Sequence, residues 1–255
     1  MIISKIQGGL GNQMFQYAHG RHLSKKYNTK LYLDSRFYKY QSHRSFLLDK
    51  FNTDIDTNLD MITANYPIQV VGDNFIFKEL SNPIDCNYYL DGYWQSEKYF
   101  NDIRDIILEE FTPKENLKLN EIPLLDTNTV SIHVRRTDYI TSNGYHPVQD
   151  IKYYEEALSI IGQYDYIFCF SDDIEWCKEN LKFNNIVFMG PFSEIKDMFV
   201  MSLCKNNIIA NSTFSWWAAW LNRNPDKKII APQKWFGDNV EIDTKNIIPE
   251  SWIKI

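Results

Sequence analysis

No two cysteines in this 255-residue chain are spaced as C-x-x-C: Cys86, Cys169, Cys177 and Cys204 each stand alone. That pattern indicates neither a zinc ribbon nor a dithiol redox pair. Cys169 and Cys204 sit inside apolar runs and read as small core residues. Long apolar runs are missing as well. No stretch approaches the roughly eighteen residues of a membrane span, and too few apolar residues precede Gln7 to form a signal-peptide core. The expectation is a cytoplasmic protein with no transmembrane segment, at most peripherally membrane-associated. Excess positive charge is also absent. The formal net charge is -6, so the global field attracts neither nucleic acid nor an anionic membrane, and any anionic ligand must be held by local groups.

What is present is an ordinary globular composition, 44% hydrophobic and 24% charged, with 15% aromatic residues and seven tryptophans. Disordered and fibrous classes are excluded, and the length allows one large or two small domains. The aromatic excess fits a dense core or sugar-stacking surfaces, and composition does not separate these. Polar residues punctuated by Pro113 and Pro123 mark a boundary, giving an acceptor-side domain at 1–125, a second domain at 126–235, and a tail at 236–255 that returns to the first domain.

Ile2 to Ile6 reads as a buried strand, followed by the turn Gly8-Gly9-Leu10-Gly11-Asn12-Gln13 and a helical pattern from Met14 through Tyr27. Neither the dinucleotide nor the P-loop spacing is met. The turn is therefore either a tight connection or a place where backbone approaches a ligand. Asp54-Ile55-Asp56 has the D-x-D form of some metal-dependent sugar transferases, but such triplets arise readily in acidic chains and metal binding is not expected.

From Val130 onward, strand-like and helix-like segments alternate, which implies a parallel sheet covered on both faces. Three loops that follow strands carry polar groups suited to a nucleotide diphosphate. Val130, Ile132 and Val134 alternate as a strand, and Arg135-Arg136 follow directly. A period of two would send the arginines to opposite faces, so they share a ligand only if the strand ends near Val134. The alternative is an ion-paired loop with Asp138 as partner. Ser171-Asp172-Asp173 is the second loop. Asp172 with Glu175 fits a capping box, or Asp172 accepts hydrogen bonds from a base or ribose. In the third, Asn211-Ser212-Thr213-Phe214, either hydroxyl can cap a helix whose free N–H groups would bind an anion.

Four segments together, His133–Asp138, Gly8–Tyr17, Gly92–Phe100 and Asn211–Trp217, resemble the α-1,2-fucosyltransferases of glycosyltransferase family 11. The H-x-R-R-x-D part is shared with α-1,6- and protein O-fucosyltransferases; the glycine-rich start and the tryptophan-rich late motif are particular to family 11. The resemblance implies an α/β, GT-B-like fold of two Rossmann-like domains facing across a cleft. It implies GDP-β-L-fucose as donor substrate, a terminal β-galactoside as acceptor, inversion to an α-1,2 link, and neither cofactor nor metal. By position, Arg135 and Arg136 would bind the diphosphate, and His133 and Asp172 would read the guanosine. Ser212, Thr213 and Phe214 would form the phosphate-binding helix start, with Gly11 on the donor and Asn12 facing the reacting groups. Asp138 would act at the site by orienting an arginine. Asp34, Glu97, His19, His22 and Asp138 are all available as a base, and no spacing selects one.

Overall fold

A computed structural model describes residues 1–40, 43–57, 67–73, 75–81, 86–119, 122, 125–190 and 192–255. Pro123 lies outside them. The chain divides into two compact units, Met1–Glu115 with Asp243–Pro249, and Asn116–Ile242 with Glu250–Ile255.

The first unit holds strands β1 (Ile2–Lys5), β2 (Leu31–Asp34), β3 (Ile68–Gly72) and β4 (Asn87–Asp91), with helices α1 (Leu10–Lys26) and α2 (Arg104–Glu110). The described strands form one parallel sheet in the order β2-β1-β4-β3. Helix α1 starts inside the glycine-rich turn, earlier than the helical pattern suggests, and Gly9 precedes it without a side-chain cap. Gly20 lets α1 lie close to the sheet, because a Cβ there would come within 2.7 Å of Leu31 Cδ1 and 3.2 Å of Ser4 Cβ. The Asp54-Ile55-Asp56 triplet serves local packing: Asp54 lies 3.4 Å from Arg21, which also binds the buried Glu110 together with Tyr17 Oη. Among the described residues no group of three or more His, Cys, Asp or Glu is placed to hold a metal ion.

The second unit contains β5 (Thr129–Val134), α3 (Thr137–Ile140), α4 (Ile151–Ile161), β6 (Tyr166–Ser171), α5 (Ile174–Asn180), β7 (Ile186–Phe188), α6 (Glu194–Leu203), β8 (Asn206–Ile208), α7 (Thr213–Leu221), β9 (Ile229–Ala231) and β10 (Ile253–Lys254). All pairings are parallel, in the order β10-β9-β8-β5-β6-β7. Every residue of β5 is buried, as a central strand covered on both faces requires. Trp216, Trp217 and Trp220 are buried too, so the tryptophan-rich helix is core and not a sugar platform. Chain order reverses at β5: β6 and β7 lie to one side, β8 to β10 to the other. Loops leaving β5 and β8 therefore diverge at a switch point, the place where open α/β sheets bind ligands.

A buried amide network ties this arrangement together. Asn207 Nδ2 donates to Ser131 Oγ and to Met201 O, both at 2.7 Å, and Asn207 Oδ1 accepts from Asn222 Nδ2 at 2.8 Å. Asn222 Nδ2 also donates to Cys204 O. One side chain thus joins β5, α6, β8 and the end of α7. Asn207→Leu should lower stability by about 3 kcal/mol, since buried partners are left unsatisfied at about 1–3 kcal/mol each. Urea unfolding of the variant against the parent protein measures this.

Candidate active site

The arginine loop begins where a buried strand can no longer continue. β5 ends at Val134, and Arg135 and Arg136 lead into α3. Each guanidinium has its own carboxylates. Arg135 Nη2 lies 2.9 Å from Asp138 Oδ1 and its Nη1 lies 3.3 Å from Asp172 Oδ2. Its Cζ is 5.6 Å from the centre of the Tyr139 ring. Burial pulls the Arg135 pKa down, but the Asp138 hydrogen bond and the neighbouring carboxylate charges outweigh it and hold the pKa above its ordinary value. Arg136 Nε donates to Asp173 Oδ2 at 3.1 Å, and its Cζ lies 3.8 Å from the Trp176 ring centre. The ion-paired loop is thus realised for both arginines, at side-chain exposures of only 23% and 16%.

Asp172 organises this loop. Its Oδ1 accepts from Arg136 N at 2.9 Å, and its Oδ2 accepts from Thr137 N at 3.2 Å and Thr137 Oγ1 at 2.5 Å. The cap of α5 is instead Asp173, which accepts from Trp176 N. The capping box read over Asp172 and Glu175 does not form: Asp173 is a simple cap with Trp176 in the third helical position, and Asp172 is taken by Arg136 and Thr137 of the loop after β5.

His133 lies on β5 at 4% exposure, its ring 5.5 Å from that of Phe214. Burial, then the Arg135 charge, pushes its pKa down to about 3, so the imidazole is neutral near pH 7. Among the described residues its Nδ1 has no hydrogen-bond partner. Ser212 is the residue before α7, and no side chain caps that helix. Thr213 and Phe214 open its first turn, where the dipole favours an anion. His133, Arg135, Arg136, Asp172 and the Ser212–Phe214 turn therefore gather at the carboxyl ends of adjoining strands.

Gly11 and Asn12 belong to the first unit, within the first turn of α1. Asn12 Oδ1 accepts from Gln95 Nε2 at 3.0 Å. Gly8, at φ +82°, leaves the space in which a Cβ would meet Asn12 Nδ2 at 2.8 Å. Gln13 is structural: its amide holds Gly8 O, Ser45 O and Leu47 N.

The sequence model of glycosyl transferase family 11 matches residues 5–255. The chain belongs to that family. It is 35% identical to an α-1,2-colitosyltransferase of Escherichia coli, an alignment covering all of this chain and 99% of that protein. It is 32% identical to the O-antigen biosynthesis glycosyltransferase WbnK of Escherichia coli, with both chains fully covered. Galactoside α-(1,2)-fucosyltransferase 2 of Bos taurus is 28% identical over 84% of this chain and 67% of its own length. In fold the chain is similar to the NodZ α-1,6-fucosyltransferase co-crystallised with GDP, at TM-score 0.58 and 14% identity, covering 86% and 91% of the two chains. It is also similar to POFUT1 in complex with GDP-fucose, at TM-score 0.57 and 10% identity, covering 89% and 97%. The α/β, GT-B-like fold class expected from the sequence is the one these structures share.

Several base candidates of this family 11 chain are engaged elsewhere. Asp34 takes a bidentate contact from Arg36 and a hydrogen bond from Tyr89 Oη. Burial raises its pKa, but those bonds prevail and hold it at about 2. His22 contacts Asp102, and Asp138 holds Arg135. His19 is packed against Trp94 and Tyr99, and burial first, then the His22 charge, lowers its pKa to about 3. Residues that sequence reasoning missed include Asp173, Trp176, Tyr139, Asn211 and Gln95. Only the aspartate after Asp172 carried a signal, since either could cap α5.

His19 and His133 give the pH dependence a definite sign. Their folded pKa values lie below the unfolded value near 6.5, so their contribution is complete above that pH and is lost as pH falls toward about 3. Asp197 works against this, because burial raises its pKa to about 6. We expect the urea midpoint to fall between pH 7 and pH 4, and His19→Phe to flatten that fall. Denaturation series on the two proteins at several pH values read the difference directly.

Proposed function

We propose that this chain transfers L-fucose from GDP-β-L-fucose to the 2-hydroxyl of a terminal β-galactoside, with inversion and without a metal ion. The observation that carries the reading is the arginine loop placed beside the uncapped start of α7 at the switch point of the second unit's sheet. In this reading residues 126–235 form the donor side, residues 1–125 form the acceptor side, and the tail from 236 completes the fold. The named activities of the Escherichia coli and Bos taurus relatives support a sugar transferase making α-1,2 links.

As the glycosidic bond breaks, negative charge grows on the β-phosphate. Arg135 and Arg136 use only part of their five donors each on aspartates, so N–H groups remain for phosphate oxygens. Backbone N–H groups at Thr213 and Phe214 add a fixed dipole, strongest where the charge develops, while the Ser212 amide donates to Ala210 O. Asp172 keeps the loop in register through the backbone of Arg136 and Thr137, and Asp138 orients Arg135. Neutral His133 offers a nitrogen to the guanosine. Gly11 serves the donor and Asn12 the reacting groups. The acceptor oxygen forms its bond to the anomeric carbon as the bond to the β-phosphate oxygen breaks, and the hydroxyl proton leaves afterwards.

A second reading keeps the site and changes the sugar. The 35% identical colitosyltransferase favours it, since colitose is fucose without its 3-hydroxyl. A site that hydrogen-bonds this hydroxyl rejects the deoxy sugar by a factor on the order of 10⁴, whereas an apolar contact hardly distinguishes the two. Labelled GDP-fucose and GDP-colitose, each incubated with lactose in EDTA, decide between them by kcat/KM. No transfer and no hydrolysis of either donor would overturn both readings.

Arg135→Lys should lower turnover by at least about a hundredfold, because a point charge does not reproduce bidentate contact to phosphate. Its Tm should change little. A variant that unfolds while the remaining folded protein keeps normal turnover would mark the arginine as structural.

A further inference from the structure

Tyr139 touches the arginine loop, the α7 loop and the segment after α3 together. Its hydroxyl donates to Asn211 O at 2.8 Å. Its ring lies against Arg135, 5.6 Å from Cζ, and stacks on the His146 ring at 4.5 Å with 14° between planes. The acceptor of that hydroxyl bond is itself fixed. Asn211 is 2% exposed, and its Nδ2 donates to Trp235 O at 3.0 Å while its Oδ1 accepts from Gln149 Nε2 at 3.2 Å. Asn211 immediately precedes Ser212, the residue that opens α7. The aromatic support continues outward, with Phe236 5.3 Å from His146 and Gly237 N donating to Tyr145 O.

We propose that Tyr139 is a positioning residue for the diphosphate of the donor: its ring sets Arg135 and its hydroxyl sets the α7 start, so both face one anion in a fixed mutual geometry. This rests on the reading of the second unit as a GDP-sugar site. The arrangement is informative because the two halves of a diphosphate site come from loops 76 residues apart in sequence, counted from Arg135 to Asn211. β5 and β8 pair at Val130–Asn206, Ser131–Asn207 and Ile132–Ile208, and the register ends there, before either loop begins. Beyond that register the strands no longer fix the loops against each other, and the Tyr139 hydroxyl bond does. A guanidinium misplaced by an ångström loses bidentate contact while keeping its charge, so loosening this link weakens diphosphate binding without removing any group that touches the ligand.

Calorimetry with GDP as the probe, on the full chain and on Tyr139→Phe and Tyr139→Leu, tests the idea. The phenylalanine variant keeps the ring and loses the hydroxyl's contacts with Asn211 O and the Ser212 side chain; the leucine variant loses the ring as well. The expected result is a Kd for GDP raised about tenfold in Tyr139→Phe and further in Tyr139→Leu, at a stoichiometry of one per folded chain. The donor KM should rise with it while the acceptor KM holds. A Kd for Tyr139→Phe within threefold of the parent overturns the proposal, whatever happens to Tm, because a purely structural tyrosine changes the folded fraction and not the affinity of the folded protein. If Tyr139→Leu does not fold, the phenylalanine variant decides alone. Absence of GDP binding by the parent chain would overturn the donor-site reading and this proposal together; normal binding by parent and variant overturns only this one.

Discussion

The carboxylate of Asp172 holds the arginine-loop edge of the second unit together. Two backbone N–H groups, a hydroxyl and a guanidinium from the β5 loop all converge on it from across the sheet. Without that acceptor, the turn from a fully buried strand into α3 would leave the Arg136 and Thr137 amides seeking other partners, and two arginines would repel one another at the end of an apolar strand. Bonds from N–H groups to a carboxylate are charge-assisted and short, stronger than the neutral bonds of an ordinary turn. The aspartate costs something in return. It cannot also be the cap of α5, so Asp173 takes that place and draws Arg136 toward Trp176.

The charge balance around the loop follows from this. Asp138, Asp172 and Asp173 face Arg135 and Arg136, three carboxylates against two guanidiniums. Such a cluster is not an anion sink by net charge, and the chain as a whole is acidic. In the proposed reading, selective attraction of a diphosphate comes from direction. Unused N–H groups on the arginines and the dipole of α7 point where an ion-paired count would predict nothing. Pairing also keeps the half-buried guanidiniums from being isolated charges in a poorly solvated place, a condition that would cost several kcal/mol each.

Much of the second unit was legible because its inner strands are buried on both faces and bounded by polar turns. Alternation at Val130, Ile132 and Val134 stops at an arginine, and β5 ends at Val134, where the arginines could share a ligand. Where reading failed, a tertiary partner was decisive. β10 is two residues long and exists because Ile253 and Lys254 find β9; nothing local marks it. β3 carries exposed Ile68 and Val70, so the burial pattern that betrays a strand is missing there. The choice between Asp172 and Asp173 as cap depended on which was closer to β5, and adjacent identical residues hold no such information. The link from Tyr139 to Asn211 is equally invisible, since it joins loops that meet only through the order of strands.

The same reasoning bears on how the acceptor would lose its proton. A strong general base needs a pKa near the working pH, and two of the side chains that the sequence offers are poorly suited: Asp34 is held near 2 by Arg36 and Tyr89, and His19 near 3 by burial. Such groups abstract nothing from a neutral sugar hydroxyl. They need not do so if bond breaking runs ahead of bond making. An oxocarbenium-like carbon captures the hydroxyl oxygen first, and the resulting oxonium is a far stronger acid than either group's conjugate acid, so even a carboxylate with a pKa near 2, or water, takes the proton downhill. The burden then falls on stabilising the departing diphosphate. In the proposed reaction that task falls to the arginine loop, Asp172 and the start of α7.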